Sequence, residues 1–436
     1  MQQISNPKIG WISAGAIVVA NMIGTGAFTT LGLQLNELQN SWTILAVWTL
    51  GGLFALLGAF SYAELGTRLP RSGGEYNFLT HIYHPALGYL SGWVSLTVGF
   101  AASIALSAMA MGAYISKFIV FNSKEVAMLA ILVISFVHSF NIRQSSLFQN
   151  AFTLLKVLLI GLLIVVALFT PSSSNAFEWG STWQQEVTRP AFAVSLIYVT
   201  YAFSGWNSAA YIVDEIRYPI RNLPKALIGG TLLVCLLYLL LQFSFLNQAT
   251  IPELRGKVEI GQIVAEMMFG PAAGKLLSIF IALLLVASIS AMIWVGPRVT
   301  RAMADDYHIW QFFAKDNRFS IPVRAIWLQT FISIVMVMSS SFEQVLLYSG
   351  FILQLFTTIT VAGVIVLRWK YGKGRAYNSP LYPWAQIVYL VFSLFVLTFL
   401  VIDRPFESLM GLTNLVVGSL SYWWSLRFGK QFRNQV

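Results

Sequence analysis

Long apolar stretches separated by short polar segments run from Gly10 to Phe428. Their lengths predict twelve helices, at 10–34, 41–67, 83–116, 125–140, 146–170, 190–213, 224–247, 271–302, 323–340, 343–368, 382–402 and 406–428. About 20 apolar residues in a helix cross roughly 30 Å of hydrocarbon. Inside that layer a helix satisfies its own backbone without water. The pattern therefore predicts an all-α polytopic membrane protein. The segments at 170–190, 248–270 and 303–322 are too short for more than a small helix or hairpin, so 1–436 reads as one transmembrane domain. The first stretch exceeds the length of a signal sequence and is followed by many more, so it reads as a retained span.

Composition agrees: of 436 residues 57% are hydrophobic and 10% charged, against about 25% charged in a soluble domain. The net charge of +10 comes from basic residues scattered in short loops, with no basic run, which excludes a nucleic-acid partner. With the N-terminus in the cytoplasm, Arg68, Arg71, Arg217, Arg221, Lys225, Arg298, Arg301, Arg368 and Lys370 fall on the inner side, while Arg189, Arg255, Lys257, Lys275 and Arg404 fall outside. This is the asymmetry of the positive-inside rule. An even number of spans then puts both termini in the cytoplasm of a cell membrane, as for a prokaryotic inner-membrane protein. The single cysteine, Cys235, lies within an apolar stretch, reads as packing and offers no disulfide-linked subunit. His81 and His84 beside Pro85 read as an interfacial turn, so no metal site is expected. The sequence lacks a nucleophile elbow, a zinc helix and a phosphate loop, and so predicts neither an enzyme nor a cofactor.

Polar and small residues interrupt two of the stretches. In the first, Asn21-Met22-Ile23-Gly24-Thr25-Gly26-Ala27-Phe28 puts two glycines two apart near mid-membrane. A helix-packing motif spaces glycines four apart on one face, so this spacing points to close approach of a ligand. Opening the helix frees N–H groups at the start of a half-helix, where the dipole end and unpaired donors hold an anion such as a carboxylate. On this reading Gly26→Val abolishes binding and leaves expression intact. The sixth stretch is interrupted likewise at Tyr201-Ala202-Phe203-Ser204-Gly205-Trp206-Asn207-Ser208. Paired breaks fit an inverted repeat, in which unwound carbonyls receive an ammonium while N–H groups hold a carboxylate. The ligand so described is an amino acid, with Tyr201, Phe203 and Trp206 as aromatics that close over it.

Lys156 is the one basic residue deep inside a stretch, in Leu154-Leu155-Lys156-Val157-Leu158, away from either end. A lysine at the bilayer centre costs about 2.5–3.5 kcal/mol, so it is expected to face the bundle and find carbonyls or hydroxyls. Glu64, Asp214 and Glu215 lie near the ends of their stretches, and on this reading no carboxylate stands at mid-membrane. That argues against a proton relay or an acidic filter. The Lys156 ammonium, placed where a sodium ion would otherwise sit, favours sodium-independent transport, and the lack of an acidic residue favours neutral substrates.

Gly24-Thr25-Gly26-Ala27-Phe28, Gly205-Trp206-Asn207, and the run Asp214-Glu215-Ile216-Arg217-Tyr218-Pro219-Ile220-Arg221-Asn222-Leu223-Pro224-Lys225-Ala226 resemble the amino acid–polyamine–organocation permeases over nearly the whole chain. Within that superfamily they resemble the bacterial relatives of the L-type amino acid transporters. The resemblance implies a LeuT-like 5+5 inverted repeat with broken helices one and six: a first half at 10–170, a second at 190–368, and two appended helices at 382–428. It implies that N–H groups near Thr25 and Gly26 hold the carboxylate. Carbonyls near Met22, Ile23, Tyr201 and Ser204 would take the amino group, with Gly24, Ala202 and Gly205 also in the substrate site. Tyr201 and Phe203 would serve as gates, with Asn207 beside the site. It further implies that Lys156 bridges the first and eighth helices where sodium-coupled relatives hold an ion, with Ser288 and Ser290 as its partners. The third, eighth and tenth spans would line the side-chain pocket. The resulting expectation is a sodium-independent exchanger of neutral amino acids, with proton-coupled uptake as the alternative.

Overall fold

A computed structural model describes residues 9–428, apart from 119, 141–145, 172–179, 181, 314, 316 and 318–320. Its helices are α1 (Trp11–Met22), α2 (Gly26–Gln34), α3 (Ser41–Arg68), α4 (Glu75–Ile82), α5 (Pro85–Val94), α6 (Ala101–Ile115), α7 (Ser123–His138), α8 (Ser146–Phe169), α9 (Trp183–Glu186), α10 (Pro190–Ala202), α11 (Pro219–Gln248), α12 (Ile251–Leu254), α13 (Ile260–Phe269), α14 (Pro271–Asp306), α15 (Val323–Ser339), α16 (Phe342–Tyr371), α17 (Trp384–Asp403) and α18 (Pro405–Phe428). A π turn, Ser95–Phe100, joins α5 to α6, and a 3-10 segment, Ser208–Glu215, follows α10. Among the described residues, eight helical stretches are long and apolar enough to cross a membrane.

The polar punctuation of the sequence fixes the helix ends. Asn40 caps α3 by accepting from the Trp42 N–H, Asn122 and Glu125 form a capping box on α7, and Ser341 and Gln344 form another on α16. Proline occupies the first turn of α10, α11 and α14, where its missing N–H costs nothing. Side-chain direction then sorts the faces. On α8, Leu154, Leu158, Leu162 and Val165 point outward, while Lys156, Ile160, Ile164 and Ala167 are buried on the opposite face. The lysine thus sits on the one face of α8 that meets protein.

Inside the bundle α11 lies along α3 and α1, α14 along α6, and α16 against α17 and α18. The Glu64 carboxylate, at the end of α3, is fully buried and accepts from Arg368 Nε at 2.8 Å and Nη2 at 2.6 Å on α16, and from the Ser379 N–H at 2.8 Å. Removing one member of a buried, two-pronged ion pair strands the other, at a cost of about 3–5 kcal/mol. We expect Glu64→Ala to lower the thermal unfolding midpoint in detergent strongly, and Glu64→Ala/Arg368→Ala to be less damaging than the two single losses combined. Additive losses would show that the pair is not coupled.

Candidate functional site at two helix breaks

The first break lies between α1 and α2. The Ile23 N–H still donates to Val19 O at 2.9 Å, but the Gly24 N–H turns back onto Met22 O at 2.8 Å, and α2 restarts at Gly26. Among the described residues nothing accepts from the N–H groups of Thr25, Gly26 or Ala27. They form the positive end of a nine-residue helix. The two glycines have different reasons. A Cβ on Gly24 would meet only Met22 O at 4.0 Å, whereas one on Gly26 would stand 2.4 Å from Ala202 Cα on α10. Gly26 is therefore a packing glycine, contrary to the spacing argument, and Gly24 is the one facing open space.

The second break follows α10. The Ser204 N–H closes onto Tyr201 O at 2.9 Å, and Gly205 then takes φ +97°, a conformation that favours glycine. Its Cβ position lies 2.7 Å from the carbonyl of Asn21, so this glycine also lets the two breaks touch. Among the described residues nothing donates to the carbonyls of Ile23, Ala202, Phe203 or Ser204. The Met22 carbonyl, expected to receive an ammonium, accepts from the Gly24 N–H and from the Tyr238 hydroxyl at 2.6 Å. Both of its lone pairs are taken.

Two adjoining cavities meet at the breaks. A smaller one of about 40 Å³ is lined by Met22, Gly24, Thr25, Gly26, Tyr201, Ala202 and Ser204, with Lys156 and Ser288. A larger one of about 200 Å³ is lined by Tyr201, Phe203, Ser204, Gly205 and Asn207. Asn21, Ser103, Tyr201, Ser204 and Met292 belong to both. The third stretch contributes Ser95, Gly99 and Phe100 from the π turn, the eighth Met292 and Val295, and the tenth Gly350, Leu353, Gln354 and Thr357. Ile23 lines neither cavity, and its side chain is buried in the core. The Tyr201 hydroxyl faces Thr25 and Ser103 across the junction, while Phe203 packs edge-on against Trp48 at 5.9 Å.

Lys156 reaches between helices from opposite ends of the chain. Its Nζ donates to Ser288 Oγ on α14 at 2.8 Å and to Ala20 O on α1 at 3.4 Å. The break supplies that acceptor, because the Gly24 N–H that would have bonded Ala20 O has turned to Met22. Ser290 lies elsewhere, against His138 Nε2 at 2.8 Å.

Glu75 was missing from the expected site. It opens α4, is 5% exposed and lines the larger cavity. Its carboxylate accepts from the Tyr62 hydroxyl, from Asn207 Nδ2 at 3.1 Å and from the Tyr211 hydroxyl at 3.3 Å. Burial pushes the carboxyl above its usual range, against the pull of these donors. The expectation of no carboxylate at mid-membrane did not take in Glu75, which lies outside the long apolar stretches; the tertiary fold carries it under the second break and into the cavity lining.

Residues 9–420 match the family described as amino acid permease. The chain is 28% identical over 403 residues to the serine/threonine exchanger SteT of Bacillus subtilis, covering 89% of this chain and 90% of that one. It is 27% identical over 434 residues to the large neutral amino acids transporter small subunit 2 of Mus musculus, covering 95% and 80%. It is 28% identical over 370 residues to the b(0,+)-type amino acid transporter 1 of Homo sapiens, covering 83% and 76%.

Proposed function

The chain belongs to the amino acid permease family, and from that premise we propose that it is a sodium-independent exchanger of neutral L-amino acids working by alternating access around the two helix breaks. The carrying observation is the pairing of unengaged groups: N–H donors at Thr25 and Gly26 beside carbonyls at Ala202 and Ser204, all lining the smaller of two adjoining cavities. The donors take the substrate carboxylate and the carbonyls take its ammonium. On this reading the chain crosses the membrane twelve times, the halves 10–170 and 190–368 form the inverted repeat, helices within 382–428 are appended, and both termini are cytoplasmic. The larger cavity includes Ile17 and Asn21 of α1 and Ser208, Tyr211 and Ile212 beyond the second break, which this orientation puts on the cytoplasmic side.

The Lys156 ammonium on Ala20 O and Ser288 Oγ supplies fixed positive charge between α1 and α14, which supports transport without sodium. Glu75 is engaged by three donors, which supports neutral rather than cationic side chains. The name of the Bacillus relative, an exchanger, supports exchange. Cys235 points its thiol at Gly52 O inside the bundle, which supports function without a disulfide-linked subunit.

In proteoliposomes, internal amino acid is expected to accelerate uptake of labelled amino acid several-fold, with no change when sodium is replaced by choline. Equal uptake into empty and loaded vesicles would reject exchange. Proton-coupled uptake is the second reading, favoured by Glu75 as a buried carboxylate without a cationic partner among the described residues. Uptake into empty vesicles driven by an imposed pH gradient would select it.

A further inference from the structure

The loop between α3 and α4 grips the 3-10 segment that follows the second break. The Ser72 N–H donates to Asp214 Oδ2 at 2.9 Å, the Asp214 N–H donates to Ser72 Oγ at 3.1 Å, and the Gly73 N–H donates to Tyr211 O at 3.2 Å. Gly74, at φ +54°, lies so close to the Tyr211 ring that a Cβ would stand 2.8 Å away. Glu75 ends this grip with its bonds from Tyr62, Asn207 and Tyr211.

Asn207 is the member that also faces the cavity. Its Nδ2 is spent on Glu75, while among the described residues nothing donates to its Oδ1. The two ends of a side-chain amide have nearly the same shape, so a partner decides which end faces a ligand. An ionised carboxylate accepts only, and it therefore draws the nitrogen. We propose that Glu75 is a positioning residue that fixes the Asn207 amide with its nitrogen on Glu75 and its oxygen toward the cavity, where that oxygen accepts a hydrogen bond from an N–H of the substrate, its ammonium group first.

The inference rests on the proposed function, since it takes the cavity as the substrate's. It gives a role to a carboxylate that meets no cation among the described residues. Glu75 holds an acceptor in the cavity that Ser204 also lines instead of binding substrate itself, and Tyr62 and Tyr211 hold Glu75. A glutamine at 75 offers its own donor, so the Asn207 amide is no longer forced one way. An aspartate at 207 would set two carboxylates against each other.

The test is a swap read as the KM for labelled amino acid in proteoliposomes, with thermal unfolding measured alongside. Glu75→Gln is expected to raise KM about tenfold, the size of one lost hydrogen bond of about 1.4 kcal/mol, and Asn207→Asp to raise it at least as much. The double substitution Glu75→Gln/Asn207→Asp restores a donor on 75 and an acceptor on 207, and is expected to bring KM back to within about threefold of the unsubstituted chain. Glu75→Gln that lowers thermal stability at unchanged KM, or a double no better than Asn207→Asp alone, would overturn the proposal. Where Glu75→Gln alone does not fold, the double carries the test, and a double that also fails to fold assigns Glu75 to the scaffold and overturns it. Uptake by the unsubstituted chain reports separately on the proposed function: absent uptake rejects that reading, whereas uptake with the wrong pattern among the variants rejects only the role of Glu75.

Discussion

Gly26→Val is expected to leave almost no folded protein in the membrane. The new Cβ would sit 2.4 Å from Ala202 Cα and 2.6 Å from its Cβ, so it meets the backbone of α10, which has no rotamer to yield. The overlap can be relieved only by parting α2 from α10, at a cost of about 4 kcal/mol or more. Gly24→Ala is the informative contrast, because its methyl enters open space beside the unengaged N–H groups. That variant is expected to keep its unfolding midpoint while losing most uptake. Size-exclusion profiles and midpoints in detergent, set beside uptake in vesicles, separate the two. Good yields of folded Gly26→Val would refute the packing role.

Lys156→Met is expected to lower uptake more than tenfold with little change in stability. The substitution strands Ala20 O, at about 1–3 kcal/mol for a buried group left unsatisfied, while Ser288 Oγ keeps its bond to Leu284 O at 3.2 Å. It also relieves the roughly 2.5–3.5 kcal/mol cost of a lysine at membrane depth. The two terms largely offset, so a mere tether between α1 and α14 would leave transport per folded molecule near normal. A charge that stands in for a cation would not. Initial uptake rates normalised to folded protein decide between them, and rates within twofold of the unsubstituted chain would assign Lys156 to packing.

The helices were legible because hydropathy in lipid is a local property: each of the twelve apolar stretches contains helix, and the breaks fall where Gly24 and Gly205 interrupt them. Purpose was less legible than position. Two glycines two apart announce an interruption, but whether each faces a ligand or another backbone depends on α10, 176 residues further on at Ala202. In the same way the Met22 carbonyl looked available until Tyr238 of α11 folded onto it. Glu75 escaped because a charged residue between apolar stretches reads as a loop residue, and its signal was only the adjoining Gly73-Gly74 and the scarcity of acids, 17 Asp and Glu in 436 residues. The π turn at Ser95–Phe100 left no mark in composition, although such turns often accompany functional sites.

The short β-like bridge between Ile9 and Ile216 has a mechanical meaning. The Ile9 N–H donates to Glu215 O at 2.8 Å and the Arg217 N–H donates to Ile9 O at 2.9 Å, so the outer ends of α1 and of the segment after the second break are joined main chain to main chain. Of the natural residues only proline, at 9 or 217, would remove one of these donors. The two segments, both of which border the larger cavity, are thereby tied at these ends, so a displacement of one end is passed to the other.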